Sequence, residues 1–224
     1  MNAYIRIKIC CISSIEEAKL AISYGASAIG LVSAMPSGPG PIPETLITEI
    51  AAMVPPGVSS FLLTCEHRAD EIIRQQRTTR VNTLQLVDSV SIETYAQLRD
   101  ALPGISIVQV IHVLDESSID VACGVASLVD AILLDSGNPN LKVKELGGTG
   151  RTHDWSVSKK IRDAVNVPIF LAGGLNSENV ARAIEEVQPF GIDVCSGVRS
   201  HGKLDEEKLS SFIKAITSSP YALG

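Results

Sequence analysis

With 224 residues, 45% of them hydrophobic and 20% charged, the chain has enough apolar surface for one sizeable core. It lacks any apolar run near the roughly 20 residues of a membrane span. A net charge of −6, only 4% aromatic residues and no dense Lys/Arg block argue against a nucleic-acid or anionic-membrane partner.

Met1–Arg6 enters a strand pattern at once, leaving no room for a secretory signal, so cytoplasmic residence is expected. From there strand-like runs alternate with helical patterns eight times. Tyr4–Ile9 reads as the first strand and Ser14–Ser23, opening Ser-Ile-Glu-Glu, as a capped helix. Ala28–Val32 and Pro43–Met53 form the second pair, followed by Ser59–Leu63 with Ala69–Gln76 and Thr83–Leu86 with Ser91–Leu102. Ser106–Ile111 with Ser117–Ala126, Ala131–Leu134 with Asp154–Ala164, Ile169–Leu171 with Ser177–Glu186, and Ile192–Val194 with Asp205–Ile216 complete the series. The pattern predicts an α/β chain folded as a single (β/α)8 TIM barrel over 1–218 with a tail at 219–224. A doubly wound open sheet is the alternative, weakened because the first turn reads Cys10-Cys11-Ile12-Ser13 rather than G-x-G-x-x-G.

Strand parity places the side chains. If Cys10 faces the barrel mouth, Lys8 and Arg6 share its face while Ile5, Ile7 and Ile9 face the helices. Asp135 with Leu133, Gln85 with Val87, and Asp193 with Cys195 are inward by the same count. A buried ammonium needs a partner, which predicts a Lys8–Asp193 pair inside the barrel. Adjacent Cys10 and Cys11 are expected on opposite faces of an extended segment, against a shared metal or a disulfide. The five cysteines show no C-x-x-C spacing and the four histidines no ligand spacing, so no metal site is expected.

In barrel enzymes the strand ends carry the chemistry. Cys10 ends the first strand and Asp135 the sixth. A thiolate can take a proton from carbon when neighbouring donors favour it, and a desolvated carboxylic acid can deliver one to oxygen. Taken singly, each is equally readable as a small core residue or a helix cap. Gly147-Gly148-Thr149-Gly150, Gly173-Gly174 and Ser196-Gly197 follow the sixth, seventh and eighth strands, where barrels commonly hold a phosphate. Gly148, Thr149, Gly150, Gly173, Gly174, Ser196 and Gly197 are therefore the expected phosphate-binding residues.

On these motifs the chain resembles the phosphoribosylanthranilate isomerase family, nearly end to end. The carriers are Lys8-Ile9-Cys10, Gln85-Leu86, Leu133-Leu134-Asp135-Ser136, Gly147-Gly148-Thr149-Gly150 with Asp154-Trp155, Leu171-Ala172-Gly173-Gly174-Leu175-Asn176 with Glu178-Asn179-Val180, Asp193-Val194 and Ser196-Gly197-Val198. The resemblance implies a cofactor-independent Amadori rearrangement of N-(5-phosphoribosyl)anthranilate in tryptophan biosynthesis. Asp135 would be the general acid at the ring oxygen and Cys10 the general base at C2′. Lys8, Gln85 and Arg151 would be further substrate residues, and the partner a small phosphorylated sugar amine. Monomer and homodimer are both compatible with this reading.

The chain departs from the family at several points. Cys11 replaces the glycine after Cys10. The loop Ser33–Pro41 lacks the arginine that meets the anthranilate carboxylate, and Gln85-Leu86-Val87-Asp88 lacks the family's histidine. Cys195 and Arg199 stand where the family tends to have Ser and Glu. Arg151 and Arg199 are the candidates to replace the missing cation, each otherwise expected as a solvated surface charge. Two alternatives stay open: a divergent isomerase acting on another phosphoribosyl amine, and a non-catalytic sugar-phosphate binder.

Overall fold

A computed structural model describes residues 5–138, 140 and 150–218. Eight parallel strands close into a barrel in chain order: β1 (Arg6–Ile9), β2 (Ala28–Val32), β3 (Ser59–Thr64), β4 (Thr83–Leu86), β5 (Ser106–His112), β6 (Ala131–Asp135), β7 (Ile169–Leu171) and β8 (Gly191–Val194). The seam is β1 against β8, with Lys8 level with Asp193 and Ile9 with Val194. Around it run α1 (Ile15–Ser23), α2 (Glu44–Met53), α3 (Ala69–Thr79), α4 (Ile92–Ala101), α5 (Ser117–Ala126), α6 (Trp155–Ala164), α7 (Val180–Val187) and α8 (Glu206–Thr217). Among the described residues no helix is long and apolar enough to cross a membrane.

The start signals in the sequence work as caps. The side chains of Ser14, Ser91, Asp154 and Asp205 accept the backbone N–H of Glu17, Thr94, Ser156 and Lys208, each satisfying a donor that the first turn leaves open. α7 starts at Val180 rather than Ser177 because two asparagines fold the preceding residues into turns. Asn176 accepts from the N–H of Glu178 (2.8 Å), and Asn179 accepts from that of Asn176 (2.8 Å). α3 runs three residues past the expected Gln76 and stops where Arg80 turns left-handed at φ 56°.

Two apolar layers follow from strand alternation. Outward residues such as Ile9, Ile29, Leu84 and Ile132 pack against the helices. Inward ones, among them Ala28, Phe61, Val108, Ala131, Leu133 and Phe170, fill the barrel, with Phe61 and Phe170 edge-to-face at 5.9 Å. Arg6 departs from the expected inward set. It sits at the entry of β1, is exposed, and lays its guanidinium 4.9 Å over the Phe190 ring, because the open bottom of the barrel lets a long side chain reach water.

Candidate active site

The carboxyl ends of the strands form one mouth, lined by Cys10, Gln85, Asp135, Gly150, Gly173, Gly174 and Ser196. Seven of the residues singled out from sequence thus meet in one place. Gly148 and Thr149, with Gly147, lie outside the described residues, as do Tyr4 and the tail 219–224.

Cys10 follows β1 directly, and its N–H donates to the Val194 carbonyl (2.8 Å), which pins it at the barrel seam. Its sulfur packs close to Gly30 of β2. A Cβ on that residue would come within 2.9 Å of the Cys10 sulfur and 3.0 Å of Lys8 Nζ, so only glycine leaves room for both. Lys8 is wholly buried beneath the mouth, with Nζ 3.0 Å from Asp193 Oδ1 and 5.2 Å from the Phe61 ring centroid. Burial opposes its charge, and Asp193 outweighs that and holds the ammonium above its ordinary range. Burial pushes Asp193 upward while Lys8 pulls it down; the 3.0 Å contact makes them an ion pair. The expected Lys8–Asp193 pair is present, which makes Lys8 a support under Cys10 rather than a group lining the mouth.

Asp135, the last residue of β6, is 7% exposed and accepts the Ser136 N–H (2.8 Å). Burial raises its carboxyl, with the Ser136 N–H, His112 and Lys8 pulling the other way. A carboxyl so raised suits proton donation. His112 stands level with Asp135 on the neighbouring strand and donates Nε2–H to the Val87 carbonyl (3.0 Å). Gln85 is buried, and its Oε1 has no hydrogen-bond partner among the described residues.

The glycine turns take the conformation expected of an anion cradle: Gly150, Gly173 and Gly174 hold φ of 70°, 85° and 62°. Gly197 lies in a 3-10 turn, Ser196–Val198, pressed against the turn after β7; a Cβ there would sit 2.0 Å from the Leu175 carbonyl oxygen. Behind Gly173, His153 shares a hydrogen bond with Ser158 Oγ (2.7 Å), and burial pushes it down to about 4, so it stays neutral.

Two expectations are corrected. Cys11 is not extended but left-handed, at φ 60°, so its thiol lies beside that of Cys10 at the mouth instead of on the opposite face. Arg199 is not a surface charge. It is 9% exposed, pairs with Glu17 on α1 (3.1 Å), and donates to the carbonyls of Cys10 (3.1 Å) and Cys11 (2.5 Å). With its fork so engaged, Arg199 is a brace for the β1 turn. Arg151 is exposed, next to the Gly174 turn. The loop after β2 forms one wall of the mouth through Met35, Ser37, Gly38 and Pro39. The Arg199 brace and the half-buried His153 were missed in sequence because nothing local ties Arg199 to Glu17, read only as part of a helix cap, or His153 to Ser158.

A family model described as N-(5'phosphoribosyl)anthranilate (PRA) isomerase matches residues 7–215. The N-(5'-phosphoribosyl)anthranilate isomerase 2 of Methanosarcina mazei is 38% identical over 210 residues, covering 93% of this chain and 92% of that protein. The Halobacterium salinarum N-(5'-phosphoribosyl)anthranilate isomerase is 32% identical over 217 residues, covering 96% and 97%. The crystal structure of phosphoribosyl anthranilate isomerase from Thermotoga maritima matches with a TM-score of 0.80 at 32% identity, covering 94% of this chain and 98% of that one. A phosphoribosyl anthranilate isomerase in complex with reduced 1-(o-carboxyphenylamino)-1-deoxyribulose 5-phosphate matches with a TM-score of 0.78 at 30% identity, covering 94% and 97%.

Proposed function

The chain belongs to the N-(5'-phosphoribosyl)anthranilate isomerase family, and from that premise we propose that it converts N-(5'-phosphoribosyl)anthranilate to 1-(o-carboxyphenylamino)-1-deoxyribulose 5-phosphate. The observation that carries the reading is the meeting of Cys10 and Asp135 at one mouth with three glycine-bearing turns beside them. Gly150, Gly173, Gly174, Ser196 and Gly197 hold the 5′-phosphate by backbone N–H groups; the sequence motif extends this set to Gly148 and Thr149, outside the described residues. This remote grip positions C1′ and C2′ between the two side chains.

Asp135, its carboxyl raised by burial, gives its proton to the furanose ring oxygen. The C1′–O bond breaks, leaving a Schiff-base cation and an Asp135 carboxylate. Cys10 as thiolate then takes the C2′ proton; the C–H electrons form the C1′–C2′ double bond and the iminium becomes an enamine. The enol so formed tautomerises to the ketone. Each proton transfer is worth about 10²–10⁴-fold. Acid and base chemistry is complete within the chain, so no cofactor is required. Gln85 offers its Oε1, unpartnered among the described residues, to a substrate hydroxyl.

One observation favours a second reading, a phosphoribosyl amine without a carboxylate: the Ser33–Pro41 loop has no Arg, and Arg199 is engaged by Glu17. In the first reading Arg151 meets the carboxylate. The test is the loss of anthranilate-type fluorescence on mixing with freshly generated N-(5'-phosphoribosyl)anthranilate. Turnover that falls by about 10²–10⁴ in Cys10→Ala and in Asp135→Asn supports the first reading. Absence of turnover, with ribose 5-phosphate still raising the melting temperature, overturns it and leaves the second reading or a non-catalytic sugar-phosphate binder.

A further inference from the structure

At the barrel seam the pairing of Ile9 with Val194 brings the end of β1 beside the end of β8, and with them three free thiols, Cys10, Cys11 and Cys195. The left-handed backbone at Cys11 turns its side chain toward β8. The sulfurs of Cys11 and Cys195 are 2.8 Å apart, nearer than two sulfurs that merely pack, and Cys11 Sγ lies 3.6 Å from the Pro39 carbonyl. Both thiols border the same mouth as Cys10, which gives a small oxidant a path to them. Arg199 fixes the backbone on the Cys11 side by donating to the carbonyls of Cys10 and Cys11.

We propose that Cys11 and Cys195 form a dithiol that a peroxide-class oxidant closes into a disulfide across the barrel seam, an oxidative-modification site at the rim of the catalytic mouth. The contact with Cys11, aided by Arg199 against the effect of burial, holds Cys195 below the ordinary thiol range, whereas Cys11 is pushed above it. Cys195 is therefore the attacking thiolate. It attacks one peroxide oxygen, the O–O bond breaks, and the departing hydroxide takes up a proton as water, leaving Cys195 as a sulfenic acid. Cys11 gives up its proton and attacks that sulfur; the S–O bond breaks and a second water leaves. Two thiols are oxidised and one peroxide is reduced. Drawing the sulfurs together to about 2.05 Å shifts the turn that carries Cys10 and the one that carries Ser196. Catalysis stops until a thiol reductant reopens the bond.

The linkage is read independently of the substrate. Reduced protein is treated with hydrogen peroxide, alkylated, digested and analysed by mass spectrometry. A peptide pair joined through Cys11 and Cys195, with Cys10 still alkylated and two of the five thiols lost, is the expected result. Loss of turnover restored by dithiothreitol should accompany it. Cys195→Ser abolishes the joined pair, and Cys11→Gly, which suits the left-handed backbone, does the same should the serine variant fail to fold. Each variant's activity after peroxide is compared with that of its own reduced form. A link through Cys10, no link at all, or reversible inactivation equal in the wild type and both variants overturns the proposal.

Discussion

Replacing Lys8 with Met leaves the Asp193 carboxylate alone inside the barrel. The ammonium is 0% exposed, its partner 6%, and the charges are 3.0 Å apart. At an effective dielectric of about 20 that separation corresponds to an attraction of about 5.5 kcal/mol, and removing one member of a buried pair costs about 3–5 kcal/mol. Domains of this kind have roughly 5–15 kcal/mol in total, so the variant should be folded but markedly less resistant to urea. The sole tryptophan, Trp155, is buried on α6 and reports unfolding by fluorescence. A double-mutant cycle with Asp193→Leu isolates the pair. Losing both charges should cost much less than losing Lys8 alone, because the neighbouring Phe61 and Phe170 tolerate apolar company. We expect a coupling of about 3 kcal/mol that is barely altered by salt, since buried pairs are poorly screened. A coupling below about 1 kcal/mol, the level of exposed pairs, would refute the account of a charge held in place under Cys10.

Further predictions concern the turns and the brace. Gly197→Ala should lower kcat/KM by about 100-fold with an unchanged far-ultraviolet spectrum, because its Cβ forces the Leu175 carbonyl away and misplaces the phosphate turn. Cys11→Val should lose about 1–3 kcal/mol in thermal unfolding, a branched side chain being ill suited to φ 60°, while Cys11→Gly stays within about 1 kcal/mol of the wild type. Burial pushes Glu17 upward, but Arg199 and the N–H groups of Leu204 and Ser13 prevail and hold it below its ordinary 4.5. Its stabilising effect is therefore present above that value and lost as pH falls through the lower folded value. Glu17→Gln should be less stable than the wild type at pH 7, with the difference shrinking as pH falls below about 4.5 and vanishing only below the lower folded value in acid-unfolding curves.

Much of this architecture is legible in the chain because the physical signals are local. A two-residue period sorts Lys8, Asp135 and Asp193 inward, and a buried ammonium demands a carboxylate, so the Lys8–Asp193 pair follows from sequence alone. Ser14, Ser91, Asp154 and Asp205 announce their helices in the same way. What fails are the signals that depend on distant residues. Parity assumes an extended backbone, and at Cys11 the chain turns left-handed, so the count that places Cys10 misplaces its neighbour. Arg199 reads as a surface cation because its carboxylate partner lies 182 positions earlier. Arg6 obeys the parity of its strand but stands at the end of the barrel, where inside and outside merge.

The Arg199 brace has a consequence in time. It joins α1 and the turn after β1 to the segment after β8, so it forms only between the two ends of the barrel. At about 5–20 residues per second, a ribosome needs on the order of ten seconds or more between delivering Glu17 and delivering its arginine. Through nearly all of that interval β1 has a bare edge, and Cys10 lacks its Val194 acceptor. Contacts of such long sequence separation are slow to form. The nascent chain therefore carries an open sheet edge and reactive thiols until its last strand arrives, and that is the stage at which a chaperone has most to protect.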